Sequence, residues 1–299
     1  MLNKKLIGLS SILFVMIVWG SSYPVTKIII NDVPPLTLAF LRCSIGALTL
    51  LGLFFISKDK PVKAYFNDVP WLAIVCMGLT GVTGFYFFFN LSAQLTSASV
   101  GSLIQGFIPV CIALFAAIFL KEKLSAAQIN GIIISLIGVV LIGFLAPNNN
   151  DVPNSTRGNL YMIVAILAWA AYTIISKKVA QLNPFLITSL SSLAGALFLL
   201  PAALFENRLH GWPVIHLNSW LVILYLGIIS SGVCYLLYNQ SLKVLTAAQV
   251  GNFANLDPVV GLFIALVFLH DKVNLLQIAG AVLVLAGIVL STGKSRSVH

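Results

Sequence analysis

Charged side chains are scarce in this sequence of 299 residues. Asp, Glu, Lys and Arg together make up 8% of it, against about 25% in soluble globular proteins. Hydrophobic residues make up 59%, where a soluble protein has about 45–50%. A soluble fold needs a charged surface, and this chain has too few charged residues to form one. The composition excludes a soluble domain, a disordered chain and a nucleic-acid-binding module, and it predicts an all-α polytopic protein of the lipid bilayer.

The sequence also lacks the residue patterns of metal, redox and catalytic sites. Its four Cys lie singly in apolar runs, without a C-x-x-C pair, which argues against a metal or disulfide framework. Its four His lie in predicted loops or in the C-terminal tail. No H-E-x-x-H, G-x-S-x-G or P-loop motif is present, so zinc chemistry, serine hydrolase chemistry and ATP hydrolysis are not expected. We therefore expect no cofactor, no metal and no enzymatic activity.

Ten apolar stretches are each long enough to cross a bilayer. A hydrocarbon core of about 30 Å requires about 20 apolar residues in a helix. The sequence predicts transmembrane helices near 6–28, 36–57, 70–93, 97–120, 126–146, 158–178, 184–205, 218–241, 247–269 and 275–293. The longest polar break, at 146–157, is rich in turn-forming residues and divides the chain near its midpoint.

The two halves of the sequence repeat each other at a constant spacing of 149 or 150 residues. The pattern Tyr-x-x-x-Asn-x-Ser begins at Tyr86 and again at Tyr235, and Leu-Thr-x-Ala-x-Val-Gly begins at Leu95 and again at Leu245. The duplication divides the chain into a first repeat (1–147), a connector (148–157) and a second repeat (158–299). Because each repeat holds five helices, an odd number, the second repeat must cross the membrane in the opposite sense. Two inverted five-helix repeats are typical of secondary transporters.

Positive charges set the expected orientation. With the N-terminus in the cytoplasm, the inner segments carry 12 Lys and Arg residues and the outer segments carry four, while Arg42 lies within helix 2. The positive-inside rule then places both termini in the cytoplasm, with the chain in the inner (plasma) membrane. This distribution explains the net charge of +9 without a nucleic-acid partner.

Several motifs resemble those of the drug/metabolite transporter superfamily, and in particular its ten-helix branch with paired EamA-type domains. They are Trp19-Gly-Ser-Ser-Tyr-Pro24 in helix 1, Pro35 and Arg42 in helix 2, Leu120-Lys-Glu-Lys-Leu124 after helix 4, and the glycine spacing of helices 5 and 10. The resemblance covers nearly the whole chain. It implies ten helices around a central cavity and transport of small metabolites, commonly the export of amino acids across the bacterial inner membrane.

Polar and aromatic side chains inside the predicted helices are the candidate binding residues, because a transporter needs a polar patch at mid-depth on helices that can move. The predicted substrate-binding residues are Trp19, Tyr23, Arg42, Tyr86, Asn90, Gln105, Trp169, Tyr172, Tyr235, Tyr238, Asn239, Asn252, Asn255 and Asp257. Pro109 and Pro258 weaken the helical hydrogen bonding and are the predicted hinges. The structural alternative is that the polar residues join neighbouring helices and the aromatic residues fill the core. For Arg42, the alternative is a bond to backbone carbonyls.

Asp257 is the most informative of these candidates. It lies about ten residues into predicted helix 9, or ~15 Å along the helix, near the middle of a ~30 Å hydrocarbon core. An ionised carboxylate there is costly without a partner. Helix 4 has Phe107 or Ile108 at the equivalent position, so the fold does not require a carboxylate there. The sequence leaves three roles open: binding a substrate amino group, carrying a coupling proton, or bonding structurally to Asn, Tyr or Arg42.

The leading functional hypothesis is a secondary transporter that exports amino acids or related small metabolites by alternating access. The alternatives are a channel, a lipid or drug flippase, and a membrane-embedded enzyme. The expected partners are a small-molecule substrate and the lipid bilayer, with no nucleic acid. Substrate identity, transport direction, coupling ion, the half that gates and the choice between monomer and homodimer stay open at this point.

Overall fold

The structure is a computed structural model that describes residues 2–58, 69–121, 125–145, 154–254 and 256–292. Within these residues the regular secondary structure is helical, apart from an isolated bridge between Thr96 and Asn154. The helices are α1 (Leu2–Ile29), α2 (Pro35–Ser57), α3 (Trp71–Leu95), α4 (Ala98–Gln105), α5 (Ile108–Phe119), α6 (Ala126–Val140), α7 (Thr156–Lys178), α8 (Pro184–His210), α9 (Leu217–Val244), α10 (Ala247–Phe253), α11 (Leu256–Phe268) and α12 (Leu275–Thr292).

Seven helical spans in the described residues are long and apolar enough to cross a membrane. They lie in α1, α2, α3, the α4–α5 pair, α7, α8 and α9. Three further apolar helices are shorter, namely Ile129–Val140 in α6, α11, and Leu275–Gly287 in α12. These three fall where the sequence predicts helices 5, 9 and 10. The fold is therefore that of an all-helical, multi-pass membrane protein, with seven of the ten predicted spans at full length in the described residues.

The outer surface of the protein is rich in large apolar side chains, in contrast to the surface of a soluble protein. Large apolar residues cover the outside: Ile56 is 84% exposed and Leu72 is 79% exposed. Buried positions include many polar residues, among them Arg42, Asn90 and Asp257. Lipid solvates apolar side chains, whereas polar groups must find partners inside the protein. A site that handles polar molecules is therefore expected in the interior.

The helix starting at Pro35 is capped by a carboxylate from another helix. The first N–H groups of a helix have no partner within it, and Glu206 of α8 accepts hydrogen bonds from two of them in α2. The Leu36 N–H donates to Glu206 Oε1 at 3.1 Å and the Thr37 N–H donates to Oε2 at 2.7 Å. The Thr37 hydroxyl also donates to Oε2, at 2.8 Å. This cap joins the start of α2 to the end of α8.

Three segments within the described residues are π-helical: Gly78–Gly84 within α3, Tyr225–Val233 within α9, and Leu141–Leu145 after α6. A π-helix pairs residues five apart instead of four, and it leaves carbonyl groups free for other donors. The first two segments lie beside the cavity described below, where aromatic side chains donate to their carbonyls.

Glycines allow the helices to approach closely at positions that recur about 149 residues apart. A Cβ on Gly227 would lie 3.2 Å from the Arg42 carbonyl, and one on Gly78 would lie 2.8 Å from the Ser191 carbonyl. Gly78 and Gly227 are related by the sequence repeat, as are Arg42 and Ser191. The packing of α9 on α2 therefore has a counterpart in the packing of α3 on α8.

The lysines near the ends of α1 and α7 make a second pair of recurring contacts. Lys27 Nζ donates to the Ala93 carbonyl at the end of α3, at 2.8 Å. Lys177 Nζ donates to the Leu242 carbonyl at the end of α9, at 2.7 Å. A cation at the C-terminus of a helix compensates its free carbonyl groups. These contacts hold α3 beside α1 and α9 beside α7.

Candidate functional site

The interior of the protein contains a cavity lined by residues of both halves of the chain. The first repeat contributes lining residues from α1, α2, α3, α4 and α5. The second repeat contributes them from α7, α9, α10 and α11. The lining residues are Met16, Trp19, Ser22, Arg42, Phe85, Tyr86, Phe89, Gln105, Ile108, Ile112, Trp169, Ser230, Tyr235, Tyr238, Val250, Ala254 and Asp257. The described wall thus holds one cation and one carboxylate among aromatic, aliphatic and uncharged polar side chains.

The cavity is narrow. About 30 Å³ of it admits the centre of a water molecule, which is room for about one or two waters. Pockets that enclose a small organic ligand usually have about 300–1,000 Å³. Side chains or helices must therefore move apart before a metabolite can enter.

Aromatic rings form one wall of the cavity. The Trp19 and Trp169 rings are 5.0 Å apart and nearly perpendicular, at 87°. Tyr235 lies 5.6 Å from Trp19 and 5.4 Å from Trp169, and Tyr238 lies 5.1 Å and 5.2 Å from the same two rings. Edge-to-face pairs at these spacings are favourable, so the rings support one another and form a fixed surface.

The π-helical segments hold two of these rings in place. Trp19 Nε1 donates to the Ser230 carbonyl in the π-helical part of α9, at 2.9 Å. The Tyr235 hydroxyl donates to the Gly81 carbonyl in the π-helical part of α3, at 2.6 Å. Gly81 and Ser230 are equivalent positions of the sequence repeat. A buried indole N–H or phenol needs such an acceptor, and the two π-helical segments supply it.

Arg42 of α2 is fully buried beside the cavity, with 0% of its surface exposed. Its guanidinium donates to three hydroxyl groups: Nε to Ser231 at 3.2 Å, Nη1 to Thr26 at 3.3 Å and Nη2 to Ser230 at 3.2 Å. Its Cζ lies 4.2 Å from the centre of the Tyr86 ring, which is cation–π distance. Arg42 therefore donates to side-chain hydroxyls. The structural alternative predicted backbone carbonyls as its acceptors.

Asp257 lies in the first turn of α11, buried at 5% exposure, on the wall of the cavity. Its Oδ1 has no hydrogen-bond partner among the described residues. Asp257 also forms no ion pair within 4.0 Å with Arg42 or another described cation. A buried carboxylate oxygen without a donor is costly, so this group has spare capacity to bind a proton or a cation.

Helix interruptions lie close to both predicted hinge residues. The α4 helix ends at Gln105 and α5 begins at Ile108, so that Pro109 lies in the first turn of α5. The α10 helix ends at Phe253 and α11 begins at Leu256, with Pro258 in its first turn. Each interruption falls two to five residues before a proline, where the missing N–H and the ring disturb the hydrogen-bond ladder. Gln105 and Asp257 border these interruptions and also line the cavity.

The structure brings eight of the predicted binding residues together on the cavity wall. They are Trp19, Arg42, Tyr86, Gln105, Trp169, Tyr235, Tyr238 and Asp257. Asn255 and the side chain of Asn252 lie outside the described residues. The four other candidates, Tyr23, Asn90, Tyr172 and Asn239, are buried behind the wall.

The four residues behind the wall bond to neighbouring helices. The Tyr23 hydroxyl is 3.1 Å from the Ser92 hydroxyl, and Asn90 Nδ2 donates to the Pro35 carbonyl at 3.0 Å. Asn239 Nδ2 donates to the Tyr172 hydroxyl at 2.7 Å and to the Thr188 hydroxyl at 3.0 Å. Tyr172 in turn stacks on Trp169, with the ring centres 4.8 Å apart. These contacts support the wall from outside the cavity.

The sequence did not single out several residues of the wall. Ser230 is the most consequential, because it accepts from Trp19 through its carbonyl and from Arg42 through its hydroxyl. The Ser22 hydroxyl lies 2.8 Å from the Ser230 hydroxyl. A signal for Ser230 and Ser231 does exist in the sequence, since the equivalent residues of the first repeat are Gly81 and Val82.

A multi-pass helical protein with a partly charged cavity lined by both of its halves has the features expected of a membrane transport protein. Comparison with protein-family models makes the identification specific. The EamA-like transporter family model matches residues 6–144 and again residues 156–293. The chain belongs to the EamA-like transporter family, as the motifs in the sequence suggested.

Relatives in several organisms have similar sequences over most of their length. A "probable amino-acid metabolite efflux pump" of Salmonella typhimurium is 30% identical, and the match covers 93% of this chain and 92% of the relative. The uncharacterized transporter YyaM of Bacillus subtilis is 27% identical, with 93% and 90% covered. One crystal structure shares the fold, with a TM-score of 0.69 over 97% of this chain and 23% identity. The Salmonella and Bacillus relatives are named as an efflux pump and a transporter, and family membership does not indicate an enzyme.

Proposed function

We propose that the protein is a secondary transporter that exports amino acids or related small metabolites across the bacterial inner membrane by alternating access. The observation that carries this proposal is the narrow cavity lined by both halves, with Arg42 and Asp257 on its wall. Because the cavity must widen before a metabolite can enter, a protein that changes conformation is favoured over a permanently open channel. The name of the Salmonella relative, a probable amino-acid metabolite efflux pump, favours export of amino-acid metabolites.

The architecture of the proposal is ten transmembrane helices in two inverted five-helix repeats, with both termini in the cytoplasm. It is supported by the two separate matches to the family model and by the contacts that recur about 149 residues apart. In transporters of this kind, one repeat rocks against the other around a fixed site at the interface. The interruptions before Pro109 and Pro258 are the positions at which we expect the helices to bend.

Asp257 is the proposed coupling residue. Its unpartnered Oδ1 can hold a proton when the cavity is empty, and it can accept a hydrogen bond from a substrate ammonium group when the cavity is occupied. These two uses of one oxygen exclude each other. Exchange of substrate for a proton follows, and the inward proton gradient then drives export.

Counterflow in proteoliposomes tests the proposal. Vesicles are loaded with an unlabelled mixture of the twenty amino acids. In separate experiments, a trace amount of one ¹⁴C-labelled amino acid is added to the outside. Transient accumulation of at least one labelled amino acid, saturating with concentration, is the expected result. Flux that never saturates would indicate a channel instead, and absence of accumulation for all twenty would refute the proposed substrate class.

Cysteine labelling tests the alternating-access part. In a background without the four native cysteines, single cysteines are placed at the two ends of the α4–α5 pair and of the α10–α11 pair. Saturating substrate should change the labelling rates at the two ends in opposite directions. Unchanged rates at both ends, in a protein that carries out counterflow, would contradict alternating access.

A further inference from the structure

Arg42 is incompletely satisfied by the protein around it. A guanidinium has five N–H groups, all donors, and it stays charged at any physiological pH. Three of these groups donate to hydroxyls at 3.2–3.3 Å, longer than the 2.7–2.9 Å that is typical when a guanidinium meets a carboxylate. The other two N–H groups have no acceptor among the described residues. The donors that remain are therefore available to an acceptor from outside the protein.

The charge of Arg42 likewise lacks a counter-ion in the described part of the chain. No carboxylate there lies within 4.0 Å of the guanidinium. The face of the Tyr86 ring, 4.2 Å away, compensates part of the charge. A buried arginine inside a membrane protein is costly without an anionic partner. An anion in the cavity would supply that partner and gain charge-assisted hydrogen bonds.

The equivalent contact in the other repeat shows whether Arg42 and the two serines are needed for the helices to pack. The contact between Arg42 in α2 and the Ser230–Ser231 pair in α9 has an equivalent in the other half, where Ser191 of α8 faces α3. There the Ser191 hydroxyl bonds to the Thr188 carbonyl of its own helix, and the residues equivalent to the serine pair are Gly81 and Val82. The same helix packing thus forms without an arginine and without the two serines. Both sides of the contact differ between the two halves, and the polar residues occur together, which points to a use in the cavity.

We propose that Arg42, positioned by Ser231, Ser230 and Thr26, is the subsite for a substrate carboxylate, and that the cavity selects zwitterions by pairing this subsite with Asp257. The proposal rests on the proposed transport function and specifies the chemistry of its site. The carboxylate takes the two free N–H groups of Arg42, and the substrate ammonium group donates to Asp257 Oδ1. Ser230, Ser231 and Thr26 are positioning residues, because their hydroxyls accept three of the five guanidinium N–H groups and so fix its orientation.

Thermal melting of the purified full-length protein in nanodiscs tests the proposal without depending on transport. The melting temperature is followed by circular dichroism with each of the twenty amino acids and with the primary amide of each. An amide keeps the ammonium group and the side chain but has no carboxylate. We expect at least one amino acid to raise the melting temperature, and its amide to require a concentration at least tenfold higher for the same rise.

Variants test whether Arg42 and Ser231 cause the difference in affinity between an amino acid and its amide. Arg42→Lys keeps the charge but loses the forked donors, and it should bind amino acid and amide equally weakly. Ser231→Ala should weaken binding of the amino acid about tenfold while leaving that of the amide unchanged, and Ser231→Thr, which keeps the hydroxyl, should restore the difference. Ser191→Ala is the matched control, because it removes a buried serine hydroxyl at the repeat position equivalent to Arg42. It should change neither the affinity for the amino acid nor that for the amide.

The possible failures are distinguishable. If an amide binds as well as its amino acid, or if Arg42→Lys and Ser231→Ala both keep the wild-type preference, the carboxylate subsite is wrong while the transport function stands. If Arg42→Lys does not fold, the two Ser231 variants decide the question alone. If none of the twenty amino acids raises the melting temperature and none shows counterflow, both the subsite and the proposed substrate class are refuted.

Discussion

Asp257 Oδ1 has no hydrogen-bond donor among the described residues, whereas Arg42 donates to three hydroxyl groups. A substitution of Asp257 therefore gives the first prediction at the residue scale. Asp257→Asn removes the charge and the proton-binding site but keeps a similar shape. We expect the variant to lose stimulation of transport by an imposed pH gradient and to fold normally. The measurement is flux in proteoliposomes with and without the gradient, beside a thermal melt.

Asp271→Asn is the control for this prediction. Asp271 is a carboxylate outside the cavity that accepts a hydrogen bond from the Ser99 N–H at the start of α4, at 2.8 Å. An Asn side chain still offers an oxygen to that N–H, so the control should retain gradient-driven flux. Full gradient-driven flux in a folded Asp257→Asn protein would remove both functional roles of Asp257 and leave a structural one.

Glu206 carries a prediction about stability. Its carboxylate satisfies two backbone N–H groups and the hydroxyl at the start of α2. Glu206→Ala leaves these donors without an acceptor and should lower the free energy of unfolding by about 1–3 kcal/mol. Glu206→Gln should lower it less, because the amide oxygen still accepts. Melting curves of both variants in one detergent check the order, and a melting temperature for Glu206→Ala equal to the wild type would show that the cap contributes nothing.

At this scale, the sequence identified the strongly polar and aromatic parts of the cavity wall but not their partners. Arg42, Asp257 and Trp19 were recognisable because ionisable or indole side chains within an apolar span are unusual. Ser230 and Ser231 were not singled out, since serine is common in membrane helices as a packing residue. Their role depends on the π-helical turn that aims the Ser230 carbonyl at Trp19, and no residue pattern used here predicts such a turn.

At the scale of the elements, the contact between α6 and α12 depends on glycine. A Cβ on Gly138 would lie 2.6 Å from the Gly280 carbonyl oxygen, closer than side chains ever approach a backbone. Gly138→Ala should therefore push the helices apart and destabilise the protein by about 1–3 kcal/mol. The loss should appear as a lower melting temperature in detergent.

Gly52 of α2 provides the matched control for this substitution. Nothing lies within 4 Å of a Cβ at this exposed position. Gly52→Ala should be neutral or should stabilise the helix by about 0.5–1 kcal/mol, because alanine loses less backbone entropy than glycine. Equal effects of the two substitutions would mean that close approach at Gly138 is not what limits the packing.

The elements themselves were only partly predictable. Apolar runs of about 20 residues identified the seven full-length spans, because length and hydropathy are sufficient for a membrane helix. The same criterion predicted 247–269 as one helix, whereas the structure interrupts it after Phe253. The sequence did indicate a weak point near this position, because Pro258 weakens the helical hydrogen bonding. The glycine-rich π-helical segment Gly78–Gly84, in contrast, reads in sequence as ordinary apolar helix.

At the scale of the whole molecule, the proposed topology makes a prediction that does not involve the cavity. Alkaline phosphatase fused at Asn150 should be active, because the 146–157 connector is expected on the periplasmic side. Green fluorescent protein fused after the C-terminus should fluoresce, because that end is expected in the cytoplasm. The distribution of 12 inner and four outer cations is the physical reason. The opposite pattern for both reporters would invert the proposed orientation, and with it the direction in which each helix end faces.

The ring cluster of the cavity wall also gives the molecule an optical signature. Trp19 and Trp169, 5.0 Å apart at 87°, together with Tyr235 and Tyr238, are chromophores close enough for their electronic transitions to couple. Rings held in a fixed asymmetric arrangement contribute to the circular dichroism of a protein. Because the rings come from both halves of the chain, a movement that separates the halves should change this contribution. The protein therefore contains its own label-free reporter of opening, readable in real time by stopped flow without a dye or an introduced cysteine.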